Sequence, residues 1–239
     1  MNYMFVSNKI STLAKMAGVI AMIPALVISL TSGASGSIAR TTTSLDKSLE
    51  VKSTFTPRQN WRRKTIAQIN SIRANEYHKS AILKYNRNDD RGSLDDFNRA
   101  IQLAPGSAGL YTNRGDLKAN HLGDYQGALA DYNRAIQLEP KVAVHIKARG
   151  VLKMEHIRDF QGSLADLNKA IQLQPDYGLA YAYRGVLKHG LNDRLGGIAD
   201  TKKAAMLLKQ QGKIKDYNVA VDLLKKWQEA EQKERKSGR

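Results

Sequence analysis

The chain of 239 residues contains no cysteine. That absence removes disulfides, thiolate metal sites, cysteine nucleophiles and a lipobox-type lipid anchor together. Proline is scarce, at five residues, while the 18 glycines recur at regular spacing. This excludes a collagen-like or low-complexity chain and points to helical units with punctuated ends. No His-Glu-x-x-His string and no His–carboxylate cluster at ligand spacing occurs, and no glycine-rich loop follows a strand, so hydrolytic, metal and nucleotide sites have no platform. The chain is therefore expected not to be an enzyme and to need no cofactor or metal. Acidic residues are also few, 22 against 38 Lys and Arg, for a net charge of +16. The excess is largest per residue in the flanks; residues 40–72 hold seven cations and two anions. Such a balance is a matter of solubility and steering toward anionic partners and does not by itself define a site.

No acidic residue precedes Asp46. Lys9 and Lys15 stand ahead of an apolar run from Met16 to Leu30, and small residues follow at Ser32-Gly-Ala34 and Ser37-Ile-Ala39. Residues 1–39 are thus expected to be an export signal peptide or an uncleaved amino-terminal membrane anchor, with the remainder periplasmic or otherwise outside the cytoplasm. Residues 40–60, rich in Thr and Ser, read as a linker. Thr56-Pro57 offers a helix start, and Trp61, Ile66, Ile69 and Ile72 at helical spacing predict a leading helix over 61–72. The basic cluster Arg62-Arg-Lys64, close to a membrane segment, is expected to contact anionic lipid through 58–64, and no nucleic acid is expected for an exported chain.

Self-similarity dominates the rest. Pro105, Pro140 and Pro175 are 35 residues apart, as are Gly115, Gly150 and Gly185. The strings Arg114-Gly-Asp-Leu-Lys118, Arg149-Gly-Val-Leu-Lys153 and Arg184-Gly-Val-Leu-Lys188 repeat, and so do Asp95-Asp-Phe-Asn-Arg-Ala-Ile-Gln-Leu103, Ala130–Leu138 and Ala165–Leu173, with a diverged copy at Ala199–Leu207. A period of this size is the signature of a solenoid. Small residues permit close helix crossings, and a proline after each second helix stops it.

On these residues the chain resembles the tetratricopeptide repeat, in a form like that of cyanobacterial members. The resemblance implies an all-α superhelical solenoid of about four helix pairs over 73–208 (about 73–107, 108–142, 143–177 and 178–208), with a capping helix and basic tail over 209–239. The first three units are expected to carry one residue more than the usual 34. Lys79, Arg114, Arg149 and Arg184 recur opposite Asp96, Asp131, Asp166 and Asp200, which predicts an ion-pair ladder. Asp89-Asp90 and Asp124 are expected to cap helices. His121 and His156 are expected on the surface or between helices, while His78, His145 and His189 fall at unrelated phases.

The function the resemblance implies is a non-enzymatic scaffold holding a segment of one or more partner proteins in a concave face lined by the first helices. The solvent-facing candidates there are Tyr77, Thr112, Asn113, Asp116, Lys147, Val151, Tyr183 and Val186. A carboxylate-gripping set of Lys, Asn and Arg is not expected, because Tyr77, Ala81, Val144 and Ala148 occupy most of its places and only Asn113 matches. The alternative is a self-associating structural or assembly factor of a membrane complex without a peptide ligand.

Overall fold

The computed structural model describes residues 57–238, and in them the chain forms nine helices and no strand. These are α1 (Pro57–Asn86), α2 (Asp90–Leu103), α3 (Ala108–Leu117), α4 (Tyr125–Leu138), α5 (Ala143–Leu152), α6 (Phe160–Leu173), α7 (Gly178–Gly190), α8 (Arg194–Gln210) and α9 (Ile214–Lys236). They stack as antiparallel pairs, α1 with α2 through α7 with α8, and each second helix also touches the first helix of the next pair. Helix α9 packs on α8 and covers the last pair. The sequence expectations for residues 1–56 lie outside the described residues. The expected separate leading helix over 61–72 is instead the front of α1, which runs unbroken into the first pair; nothing in the sequence there stops a helix.

Each second helix starts on the same device. The carboxylates of Asp89, Asp124, Asp159 and Asp193 accept the backbone N–H of Gly92, Gly127, Gly162 and Gly196 at 3.0, 2.9, 2.8 and 2.9 Å. This satisfies one of the donors that the first turn leaves open. A Cβ on any of these glycines would run into the capping carboxylate, so the cap and the glycine come together. Helices α2, α4 and α6 end two residues before Pro105, Pro140 and Pro175, which have no amide proton to continue them.

The inter-helix turns place the length irregularity. Helices α3 and α5 continue as five-residue π-helical segments, Lys118–Leu122 and Lys153–Ile157, and leave through the left-handed Gly123 and Arg158. The amides of Asp124 and Asp159 consequently reach back to the carbonyls of Lys118 and Lys153, whereas those of Asp89 and Asp193 reach Lys84 and Lys188, one residue nearer in sequence. The extra residue therefore sits in the second and third units alone. The first unit is short, like the fourth, which corrects the expectation that three units are long.

The core follows the helix crossings. Ala81 meets the Phe97 helix, and the wholly or almost wholly buried Phe97, Tyr132, Leu167 and Thr201 occupy equivalent places opposite Ala81, Gly115, Gly150 and Gly185. A Cβ on Gly115 would lie 2.8 Å from the Tyr132 ring, and one on Gly185 would lie 2.9 Å from the Gly197 carbonyl oxygen. Close crossing is thus built into the sequence. At the carboxy-terminal end Ala220, Leu223 and Trp227 of α9 are buried, with the Trp227 ring stacked on His189 at 3.8 Å.

Candidate functional site

The recurring arginine is a three-way clamp. Arg114 donates to both oxygens of Asp131 at 2.9 and 2.6 Å, and its third nitrogen donates to Asn98 of the preceding unit at 2.7 Å. Arg149 repeats this with Asp166 (2.9 and 2.6 Å) and Asn133 (2.8 Å). Arg184 does so with Asp200 (2.7 and 2.7 Å) and Asn168 (2.8 Å). Lys118, Lys153 and Lys188 add a second cation to the same aspartates at 2.9, 2.9 and 3.0 Å. The planar guanidinium suits this role, offering a bidentate edge to a carboxylate and a spare donor to a neighbour.

In the first unit the expected pair is corrected. Asp96 takes hydrogen bonds from Lys84 and Ser80, each at 2.6 Å, and Lys79 is exposed. Because that unit lacks the extra residue, Ser80 occupies the arginine's place and Lys84 that of the second cation. Burial pushes the Asp96 and Asp200 carboxyls up, but the hydrogen bonds from Lys84 and Ser80, and from Arg184 and Lys188, outweigh it and hold both below the usual range. This ladder joins units and is structural.

The candidate groove residues divide in two. Thr112, Val151, Tyr183 and Val186 are buried at 2–3% exposure and do not face solvent. Stacking explains it: Val151, Tyr183 and Val186 pack into the core shared with Leu223 and Trp227 of α9. Thr112 is covered by the next unit, with His145 Nδ1 at 2.7 Å. His145 Nε2 in turn lies 3.2 Å from a Glu139 carboxylate oxygen. Tyr77 is half-buried with Arg99 over its ring at 5.6 Å. Asn113 donates its amide to His78 Nε2 across the unit boundary at 2.7 Å. His121 and His156 sit between units, His121 bonded to Asp90 at 2.6 Å with its ring tilted against Tyr85, His156 stacked on Tyr125.

Asp116 and Lys147 come together on one face. Asp116 accepts the Tyr132 hydroxyl at 2.7 Å. Burial pulls the half-buried Lys147 ammonium below the ordinary lysine value, while the carboxylates of Asp116, Glu155 and Asp216 oppose that shift. The same carboxylates reach the two buried phenols: burial first, then Asp116 at Tyr132 and Glu155 at Tyr183, drives both well above the ordinary tyrosine range. Burial raises the Asp216 carboxyl as well, against Lys213 and Lys147. The face thus gathers Asp116 of α3, Lys147 of α5, Asp216 of α9 and Glu155 of the π-helical segment, together with the buried phenols of Tyr132 from α4 and Tyr183 from α7. Sequence reasoning missed Glu155 and Asp216. Glu155 stands at the place of Asn120, 35 residues earlier, and Asn120 hydrogen-bonds Tyr85 on the same face, so the repeat carried that signal; for Asp216 no signal existed. Among the described residues no three His, Asp or Glu side chains gather as a metal site would require, and no helix is long and apolar enough to cross a membrane.

No protein-family model and no curated protein matches the sequence. Solved structures do resemble the fold. MamA residues 41 to the end from Desulfovibrio magneticus RS-1 is similar with a TM-score of 0.50 at 19% identity, over 67% of this chain and 96% of that one. The first TPR of Spaghetti (RPAP3), bound to an HSP90 peptide, gives 0.48 at 17% identity over 51% and 98%. The Arabidopsis OM64 TPR domain gives 0.47 at 21% over 50% and 98%. With its 35-residue period, paired helices and small-residue crossings, the chain is a protein of tetratricopeptide-repeat fold.

Proposed function

We propose that this solenoid is a non-catalytic interaction module that holds a segment of a partner protein against the face built from α3, α5 and α7. The observation that carries the reading is the polar cluster on that face, where the half-buried Lys147 and Asp116 lie within electrostatic reach of Glu155 and Asp216, and Asp116 holds the buried phenol of Tyr132 at 2.7 Å. The ladder arginines, by contrast, join one unit to the next through Asn98, Asn133 and Asn168. The polar cluster draws on five helices, α3, α4, α5, α7 and α9, and on the π-helical segment that carries Glu155. Such a mixed, partly desolvated surface discriminates between partners by requiring matched donors and acceptors, because an unmatched group is left unpaired on binding. Solved relatives in fold include one bound to an HSP90 peptide, a statement about that protein. An exported module, as the amino-terminal residues lead one to expect, would find its partner outside the cytoplasm.

A photoreactive phenylalanine derivative in place of Asn120, which is exposed at the edge of the cluster, tests the reading in cells. The same derivative at the exposed Lys169 of α6 serves as the outer-face control. The expected result is a covalent adduct with another protein from position 120 and none from 169. An adduct of twice the chain's own mass would favour the self-associating alternative, and equal labelling from both positions would count against a groove.

A further inference from the structure

From Arg58 to Arg73 no residue of α1 is buried, and Ala74 is the first that is. Within that stretch Trp61 is 67% exposed, Ile66 57%, Ile69 48% and Ile72 54%. At 3.6 residues per turn Trp61, Ile69 and Ile72 share one side of the helix, with Ile66 at its margin, and that side is opposite Ala74 and Ala81, which face inward. The apolar stripe therefore points away from the solenoid. A helix of this length without a packed face is not held by intrinsic propensity alone, and large apolar groups gathered on one side of it mark an interaction surface.

Charge selects the occupant. Arg58, Arg62, Arg63, Lys64 and Arg73 lie on the same stretch, and no acidic residue appears between Pro57 and Glu76. A cationic stretch with no acidic residue in its own sequence opposes pairing of this face with a second copy of itself and favours an extended anionic surface. Trp and Ile set among arginines have the composition of a helix lying in a bilayer interface, where the indole sits at headgroup depth and long cationic side chains reach up to lipid phosphates. We propose that residues 58–73 of α1 lie along an anionic bilayer surface, with Trp61, Ile69 and Ile72 inserted between headgroups and Arg58, Arg62 and Lys64 paired with lipid phosphates. This surface is separate from the groove on α3, α5 and α7, so either reading stands or falls without the other.

The chain reports on this itself, because it has two tryptophans and the other, Trp227, is already buried at 5% exposure. Full-length protein is titrated with vesicles of phosphatidylcholine alone and of phosphatidylcholine with phosphatidylserine, following tryptophan emission. The expected result is a blue shift on the anionic vesicles, none on the neutral ones, and loss of the shift in Trp61→Phe, a surface change that leaves the core intact. Combining Arg58→Gln, Arg62→Gln and Lys64→Gln is expected to weaken binding on the order of 100-fold, since each cation near an anionic surface contributes about 1 kcal/mol. An unchanged Trp61 emission on anionic vesicles overturns the proposal, as does an equal shift on neutral ones. A lipid-free emission already blue-shifted means that protein covers the stripe and also overturns it. Tight binding to duplex DNA without a vesicle response would reassign the surface to nucleic acid.

Discussion

At the scale of single residues, the arginine clamp explains why each unit needs the one before it. Arg149 closes on Asp166 in its own unit and reaches back to Asn133, so one side chain fixes both the pairing within a unit and the stacking between units. Asn98, Asn133 and Asn168 each serve the following arginine; in the fourth copy, which no further arginine follows, the same place holds Lys202. Arg149→Leu is expected to lower the unfolding free energy by about 2 kcal/mol, because it leaves the buried Asp166 with Lys153 alone and strands the Asn133 amide oxygen. Arg149→Lys recovers little of it, for an ammonium cannot present the two-pronged edge. Urea midpoints of the two variants measure this, and a leucine variant as stable as the parent would mean that apolar packing replaces the clamp. The Arg and Asp members were legible because they recur inside each unit. The asparagine recurs just as regularly, but its partner lies across the unit boundary, and a repeat pattern does not say which residues of different copies meet.

At the scale of helices, the side chain opposite the small residue shrinks along the chain from Phe97 and Tyr132 to Leu167 and Thr201, and clearance is least at the last crossing. The last crossing sets Gly185 against Gly197. A Cβ at Gly185 would meet the Thr201 hydroxyl at 2.5 Å and the backbone of α8, whereas one at Gly150 meets the Asp166 Cβ at 3.1 Å and Leu167 at 3.4 Å. Gly185→Ala must therefore push two backbones apart and is expected to destabilise by roughly 2 kcal/mol. For Gly150→Ala a shift of a few tenths of an ångström suffices, and the roughly 1 kcal/mol better helix propensity of alanine offsets it, leaving stability close to the parent. Thermal unfolding of the two variants tests this, and equal losses would refute the difference in backbone clearance. Helices, caps and crossings could be read from periodicity, from Asp residues ahead of each second helix and from the prolines behind it. The place of the extra residue could not: a constant spacing of 35 between glycines gives the unit length but not the turn that absorbs it, and the π-helical segments at Lys118–Leu122 and Lys153–Ile157 have no composition of their own. That uncertainty in phase put Lys79 in the arginine's register.

At the scale of the whole molecule, exposure is a property of the stack and not of a residue's place on its own helix. Val151, Tyr183 and Val186 stand on first helices where a groove position is expected, yet they are covered once neighbouring units and α9 close in. The same stacking gives stability a pH dependence. Burial pulls His78 below the ordinary imidazole value. At His189 burial acts first, Arg194 adds to it, and Glu231 and Glu234 oppose both without reversing the shift. Both rings have a neutral-state role: His78 Nε2 accepts the Asn113 amide, and His189 lies flat on Trp227. A histidine whose pKa is depressed on folding lets the unfolded chain take up the proton first, so its contribution is whole above about 6.5 and is lost as pH falls below that value. The depressed carboxyls of Asp96 and Asp200 add to the loss only at lower pH, past the usual carboxylate range. The raised carboxyl of Asp216 acts in the other direction, its penalty relieved as it protonates. In the window between about pH 5 and 6.5 the histidines decide the sign. The unfolding temperature is expected to be lower at about pH 5 than at about pH 7.5. His78→Gln, whose amide oxygen can accept from Asn113 at either pH, is expected to narrow that difference. A midpoint that holds steady or rises on acidification in the parent chain would mean that the two rings do not couple to folding, and the Asn113–His78 bond would then be incidental to the junction between the first two units.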